Sequence, residues 1–395
     1  MPRALTAEQR LLLQTVSPWP TPPPPTPAEA WSLRWEDLLR LAEQHEVVGQ
    51  FAASPLALAA ADQLPPEASE RLANWRRWAY VCDQKAVSLL EDLISQTNAA
   101  GIPFILLKGL GLAERFYRDP SERISKDLDL LVREESLAAM DRILASMGFS
   151  PYRTDFFVAH HYHIPYVARD INTRIRVELH WEVTPRASLV QFRVDRWWHE
   201  ARITRLRSGE VLVPPPAEEL AHVAWHAFTK GAPKLRDLLD VARLWHDLPA
   251  HLSWEHVIAR AEAARASLFL EQAMRLCSLF WSHERGLWPS GLPAVDRAVG
   301  RRIGQRFFQP GAILNSQTDT WWPYGQIAYW ALLPMREAGF TRLFLEAVEE
   351  QRKGALLNDE LFPPRAAARA ALEIGIALMS CLVPFCTSRT LRSDG

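Results

Sequence analysis

Apolar positions change their spacing twice along this chain of 395 residues, and the changes divide it into three stretches. From Trp31 to about Ala100 the recurrence is helical, through Leu38, Leu39, Leu41 and Ala42 and then Trp75, Trp78, Leu89, Leu90 and Leu93. Gly101 follows as a helix stop. At Ile102 the period changes. Phe104-Ile-Leu-Leu107 is a short apolar run between Pro103 and Gly109, the pattern of a buried strand. Helix is predicted from Leu110 to Tyr117, a turn at Asp119-Pro-Ser121, and a second strand through Leu128, Leu130, Leu131 and Val132. An amphipathic helix follows from Ser136 to Met147 and stops at Gly148. Further strands are predicted at 149–153, 161–168 and 174–181, the last two joined by a hairpin turn at Arg169-Asp-Ile-Asn172. Strand, helix, strand, helix, strand, strand is the order of an α+β sheet with a hairpin. After Val211-Leu-Val213, the run Pro214-Pro-Pro216 marks a boundary, and the pattern from Ala217 is helical almost to the end. One stripe there runs through Leu220, Val223, Ala224 and Ala227, and another through Leu235, Leu238, Leu239, Val241, Ala242 and Leu244. A last helical segment is predicted after Pro363-Pro364. The expected layout is a Pro-rich tail (1–30), an N-terminal helical segment (31–100), a core (101–213) and a C-terminal helical domain (214–395).

Composition changes this picture little. The hydrophobic fraction of 48% and charged fraction of 23% are those of an ordinary globular protein. A formal net charge of −1 supplies no global field toward nucleic acid or an acidic membrane, so a long nucleic acid is not the expected partner. The run PWPTPPPPTP (18–27) reads as a stiff, extended tether. The four cysteines, Cys82, Cys277, Cys381 and Cys386, match no zinc spacing and fit a reducing cytoplasm. The N-terminus has no apolar signal core, and the apolar run from Ile374 to Cys386 covers only about half a bilayer span. A cytoplasmic protein without a membrane anchor is the expectation.

The candidate chemistry lies in Leu107-Lys-Gly-Leu-Gly-Leu112 and Arg123-Ile-Ser-Lys-Asp-Leu-Asp-Leu-Leu-Val132. Side chains at i and i+2 of a strand share a face roughly 7 Å apart, so Asp127 and Asp129 point together while Leu128 and Leu130 enter the core. Paired carboxylates raise one another's pKa unless a cation lies between them, and hard divalent ions take such oxygen ligands. In Arg174-Ile-Arg-Val-Glu-Leu-His-Trp181, Ile175, Val177, Leu179 and Trp181 face inward, leaving Arg174, Arg176, Glu178 and His180 on the other face. If this strand lies beside that of Asp127, Glu178 completes a three-carboxylate set able to hold two metals roughly 4 Å apart. Lys108 and Gly109 end the first strand and open a helix, where a phosphate would be favoured. Lys108, Arg123 and Lys126 are the candidate phosphate-binding cations. His180 either orients Glu178 or acts as a base. His222 and His226, one helical turn apart, read as packing or acceptor contacts, and His160, His161 and His163 cluster before the hairpin. Asp237 and Asp240 read as solvated. The arginines from Arg186 to Arg207, interleaved with Trp197 and Trp198, read as a solvated face rather than a nucleic-acid groove.

At these residues the sequence resembles the DNA polymerase beta-like nucleotidyltransferase superfamily, and more closely an uncharacterised bacterial nucleotidyltransferase family marked by a Leu-Lys-Gly motif. The resemblance is carried by ILLKGLGLAERFY, RISKDLDLLV, MGF and VELHW, with WEDLLRLAEQHEVV and AHVAWHAF…LRDLLDVARLW also similar, over about residues 31–250. It implies a small mixed sheet of polymerase beta-like type flanked by helical segments, Asp127, Asp129 and Glu178 as metal ligands, and Mg²⁺ or Mn²⁺ as cofactor. It further implies transfer of a nucleoside monophosphate from an NTP to an acceptor, and the neutral charge balance points to a small molecule or a protein as that acceptor. One departure stands out: where most of the superfamily has Gly-Ser at the helix start, with the Ser holding a phosphate, this chain has Lys108-Gly109-Leu110. The alternative is a catalytically inactive module that binds nucleotide or metal and acts as a scaffold.

Overall fold

The structure, a computed structural model, describes residues 5–18, 33–59, 64–152, 162–168, 175–184, 188, 190–229 and 233–281. The proline run from 19 onward, the hairpin turn at 169–172, Arg174, His160, His161 and the segments after 281 lie outside the described residues.

At its centre lies one mixed seven-stranded sheet in the order β3-β4-β5-β2-β1-β7-β6. The strands are β1 (Ile105–Leu107), β2 (Asp127–Leu131), β3 (Phe149–Pro151), β4 (His163–Ala168), β5 (Arg176–His180), β6 (Arg202–Leu206) and β7 (Gly209–Val213). β2 runs antiparallel to β1 and parallel to β5, and β4 pairs antiparallel with β5 as the sequence predicts. The β6–β7 hairpin extends the sheet beyond β1, to which β7 is parallel. The sequence pattern marks only the end of β7, because β6 is an edge strand whose Ile203 is 71% exposed, so the usual apolar-in alternation is missing.

Twelve helices are described: α1 (Ala7–Thr15), α2 (Trp35–Gln44), α3 (Val48–Ala53), α4 (Pro55–Ala59), α5 (Pro66–Ala99), α6 (Lys108–Phe116), α7 (Leu137–Ser146), α8 (Val194–Glu200), α9 (Pro216–His226), α10 (Leu235–His246), α11 (Trp254–Ala263) and α12 (Ser267–Phe280). Among them no helix is long and apolar enough to cross a membrane. Pro66 and Pro216 occupy first-turn positions, where the missing N–H costs nothing. Gly101 (φ 66) and Gly148 (φ 84) take the left-handed conformation just after α5 and α7.

The two faces of the sheet pack against different helices. On one, Leu106, Leu128, Leu130, Val177 and Leu179 join Leu90 and Leu93 of α5 and Met140 and Leu144 of α7. On the other, Ile105, Leu107 and Leu131 join a larger core that runs without a break from α1–α4 to α9–α12. The N-terminal and C-terminal helices, which the sequence pattern separates, thus share one core, and the Trp281 indole N–H donates to the Leu13 carbonyl between them at 3.1 Å. Asp127 and Asp129 alternate with Leu128 and Leu130, so they lie on the side of this larger core, facing the helices.

Candidate active site

Parallel pairing of β2 with β5 sets Asp127 beside Arg176, Asp129 beside Glu178 and Leu131 beside His180. A one-residue slip would turn either strand's acids into the leucine core, so burial of Leu128, Leu130, Val177 and Leu179, all fully buried, fixes this register. Asp129 is buried, Glu178 half-buried and His180 buried. One potential ligand atom from each of these three residues lies within 4.8 Å of the other two. Asp127, next along the same strand face, is not in that group; its Oδ2 lies 3.6 Å from the Arg176 guanidinium.

The strand-to-helix turn after β1 brings the cation. Lys108 (φ 23) and Gly109 (φ 48, ψ −126) both leave helical geometry, which folds the backbone sharply before α6 continues. Gly109 is favoured by its positive φ, which strains any residue with a side chain; space is not the constraint, since a Cβ there would make ordinary contacts of 3.4 Å to the Asp127 carbonyl oxygen and 3.5 Å to the Ser125 hydroxyl. Lys108 Nζ donates to Asp129 Oδ1 at 2.8 Å and lies 3.4 Å from His226 Nε2 at the end of α9. The positive φ of Lys108 is backbone strain concentrated at the point where the ammonium meets the acids.

The imidazoles complete the arrangement. His180 Nε2 is 3.1 Å from Asp129 Oδ1 and 3.7 Å from Glu178 Oε2. His163 Nε2 lies 4.0 Å from Glu178 Oε2, and its ring stacks on His180 with centroids 4.9 Å apart. The Nδ1 atoms of both rings are buried with no hydrogen-bond partner. His222, deeper in α9, is packed edge-on against Phe192 and Trp197. Burial, aided by the Lys108 charge, lowers its pKa to about 3 and keeps it neutral.

Charge in this pocket is unbalanced. Burial would lower the Lys108 pKa, but Asp129, Asp127 and Glu178 together raise it to about 12. Asp129 is held well below its usual range: burial opposes this, but the Lys108 ammonium and His180 outweigh it. Asp127 is shifted upward, by burial and then by repulsion from Asp129. Glu178 is lowered against the pull of burial, chiefly by His180. His180 is raised against burial by Asp129 and Glu178, and His163 falls to about 3 through burial and the nearby His180. The Lys108 ammonium and, at the outer end, the Arg176 guanidinium therefore face three carboxylates, and the negative charge left over attracts a divalent cation.

Not every candidate is brought here. The Arg123 guanidinium is buried and committed to Asp240 of α10, with Nη2 to Oδ2 at 2.8 Å and Nε to both carboxylate oxygens. It is spent on a tie between the sheet and the helices rather than offered to a phosphate. Asp240, expected in solvent, is buried and also accepts from the Tyr117 hydroxyl at 2.7 Å. Asp237 caps α10 by accepting from the Lys234 backbone N–H. Lys126 is exposed and 3.3 Å from Glu46 Oε1. Of the arginine-rich stretch, Trp197 is fully buried and Trp198 packs under Arg133, so those rings are not a free stacking surface. Ser125, in the loop just before β2, accepts from Arg123 Nη1 at 3.3 Å beside the Gly109 turn; nothing in the local sequence pattern singles it out.

The residues present fit a divalent ion. Ligands about 2.1 Å from a small divalent ion stand at most about 4.2 Å apart, so a small contraction of the Asp129, Glu178 and His180 group would seat one. A mixed sheet presenting acids and a turn-held lysine to a helical cover is the architecture of a nucleotidyltransferase-type protein. Residues 32–282 match the family described as uncharacterised nucleotidyltransferase, and the chain belongs to that family. No curated protein matches the chain. Among solved structures, an antigenic nucleotidyltransferase-like protein from Paracoccidioides brasiliensis is 13% identical, covering 52% of this chain and 92% of its own at a TM-score of 0.34. The antibiotic-resistance factor ANT(2'')-Ia is 13% identical, covering 52% of this chain and 96% of its own at a TM-score of 0.28.

Proposed function

We propose that the chain is a metal-dependent nucleotidyltransferase that moves an NMP from an NTP to a small-molecule or protein acceptor. The observation that carries this is the in-register pairing of Asp129 with Glu178 on a sheet face turned toward the helices, with Lys108 at its edge. Asp129 and Glu178, with Asp127 beside them, would hold the Mg²⁺ or Mn²⁺, whose chemistry is to neutralise the triphosphate and polarise the α-phosphorus. Lys108 exchanges its contact with Asp129 for a phosphate oxygen as the nucleotide enters. Gly109 lets that phosphate approach the backbone. The Lys108–His226 contact puts the end of α9 at the mouth of the site, so the acceptor enters between sheet and helices. In the reaction the acceptor oxygen bonds to the α-phosphorus, the bond from that phosphorus to the bridging oxygen breaks, and pyrophosphate leaves. The acceptor's proton passes to a site carboxylate and on to solvent.

One observation favours a second reading, an inactive scaffold: the Lys108 ammonium already sits on Asp129 as a cation would. The two separate in cell extract incubated with each α-labelled NTP and Mg²⁺ or Mn²⁺. The enzyme reading predicts that wild-type protein tags an extract component and releases pyrophosphate, and that Asp129→Ala does neither. Nucleotide binding with no tagged product across all four NTPs supports the scaffold.

A further inference from the structure

We propose that the centre is a mixed nitrogen–oxygen site in which His180 Nε2 ligates the divalent ion alongside Asp129 and Glu178, and that this nitrogen gives a first-row transition ion preference over Mg²⁺. The proposal rests on the reading above that the site holds a divalent ion, and it decides which ion and which ligands. Asp129, Glu178 and His180 are the described residues that the fold gathers around one point, with an imidazole where a third carboxylate was expected.

His180 is placed for this role by four features. It sits two residues after Glu178 on the same strand face, and its carbonyl accepts from the Val132 N–H at 2.8 Å, which pins the strand end to β2. Its ring is stacked on His163, which fixes the plane. Its Nε2 is the nitrogen turned to both carboxylates. On the β2 side its neighbour across the register, Leu131, is apolar, and on the β4 side it is the stacked His163.

The chemistry follows from ligand type. Mg²⁺ takes oxygen and holds its waters, so an imidazole filling a coordination position gains it little. Ions such as Mn²⁺, Co²⁺ and Zn²⁺ accept imidazole readily, with affinity rising along the first row. His163 Nε2, at 4.0 Å from Glu178, is beyond hydrogen-bond reach of that carboxylate and is not in the ligand group.

Mn²⁺ added to the full chain without nucleotide tests this directly. Pulsed EPR of the bound ion should show ¹⁴N coupling from a directly bound imidazole, and Mg²⁺ should displace the ion only at about tenfold excess or more. His180→Gln should lose the ¹⁴N signal and weaken Mn²⁺ binding about tenfold or more, with its melting curve as folding control, while His163→Gln keeps the signal. Mn²⁺ bound without ¹⁴N coupling, equal competition by Mg²⁺, or a signal that survives His180→Gln but not His163→Gln would overturn it. If His180→Gln does not fold, the wild-type spectrum and the His163→Gln spectrum decide. An oxygen-only Mn²⁺ site in a protein that still tags acceptor ends this inference and leaves nucleotidyl transfer standing. No bound ion, with or without a non-hydrolysable NTP, ends both.

Discussion

Two buried cation–carboxylate pairs with the same 2.8 Å contact involve segments flanking β2, and they are built to opposite ends. Arg123–Asp240 is closed: the guanidinium reaches both carboxylate oxygens, the Tyr117 hydroxyl adds a donor, and Ser125 takes another guanidinium N–H. Lys108–Asp129 is open: the ammonium is shared with His226, the carboxylate with His180, and two further acids crowd the same face. A closed pair joins α10 to the sheet and has nothing left to bind with. An open pair, with surplus negative charge and a strained turn at the lysine, is poised to exchange partners. Buried ion pairs are thus no guide to function by themselves; the degree to which their hydrogen-bonding capacity is filled tells them apart.

Breaking the closed pair should cost the most in stability. Asp240→Ala leaves the Arg123 guanidinium buried and unpaired and is expected to lose about 3–5 kcal/mol in denaturant unfolding, with nucleotide binding following the folded fraction. At the open pair the signature reverses. Asp129→Asn should cut metal-dependent transfer by at least about a hundredfold, more than loss of an outer partner typically does, while the melting temperature falls less than in Asp240→Ala: a carboxylate held below its usual range stabilises the fold, but Asp127 and Glu178 still face the Lys108 ammonium. Gly109→Ala sharpens the contrast: it forces a side chain into a positive-φ turn and should cost about 1–3 kcal/mol in unfolding, together with a raised KM for NTP.

The smallest effect belongs to a third cluster, where Glu46 meets Arg236, Lys234 and Lys126 and ties the N-terminal helices to α10. Burial would raise the Glu46 pKa, but Arg236 leads those cations in lowering it from 4.5 to about 2. A depressed carboxylate stabilises the fold above its unfolded pKa, and the contribution fades as pH falls from about 4.5 toward 2. Glu46→Gln should therefore cost about 1–2 kcal/mol at neutral pH, and acid titrations of the two proteins should converge toward pH 2.

What could be read in the sequence was whatever a two-residue period and a flanking turn can encode. Asp127, Asp129, Glu178 and His180 were visible because each alternates with residues that must be buried, and the apolar partners dictate where the polar face goes. The pairing of β4 with β5 followed from the same pattern, whereas that of β2 with β5 stood only as the condition for Glu178 to join the aspartates, since local patterning does not specify a parallel neighbour far along the chain. β6 was not visible, since an edge strand with a solvent-facing Ile203 has no apolar side to announce it. Nor was the fate of Arg123, because its partner lies in α10 and long-range pairing leaves no local trace. The same limit hid the contact between Lys108 and His226 and the core that α1–α4 share with α9–α12.

Calorimetric titration of a non-hydrolysable NTP, with Mn²⁺ present, tests the central claim without an acceptor. Wild-type protein should bind the nucleotide only when the ion is there, and Asp129→Asn and Glu178→Gln should each abolish that dependence while remaining folded. Binding that is indifferent to the ion, or unchanged in both variants, would contradict the account.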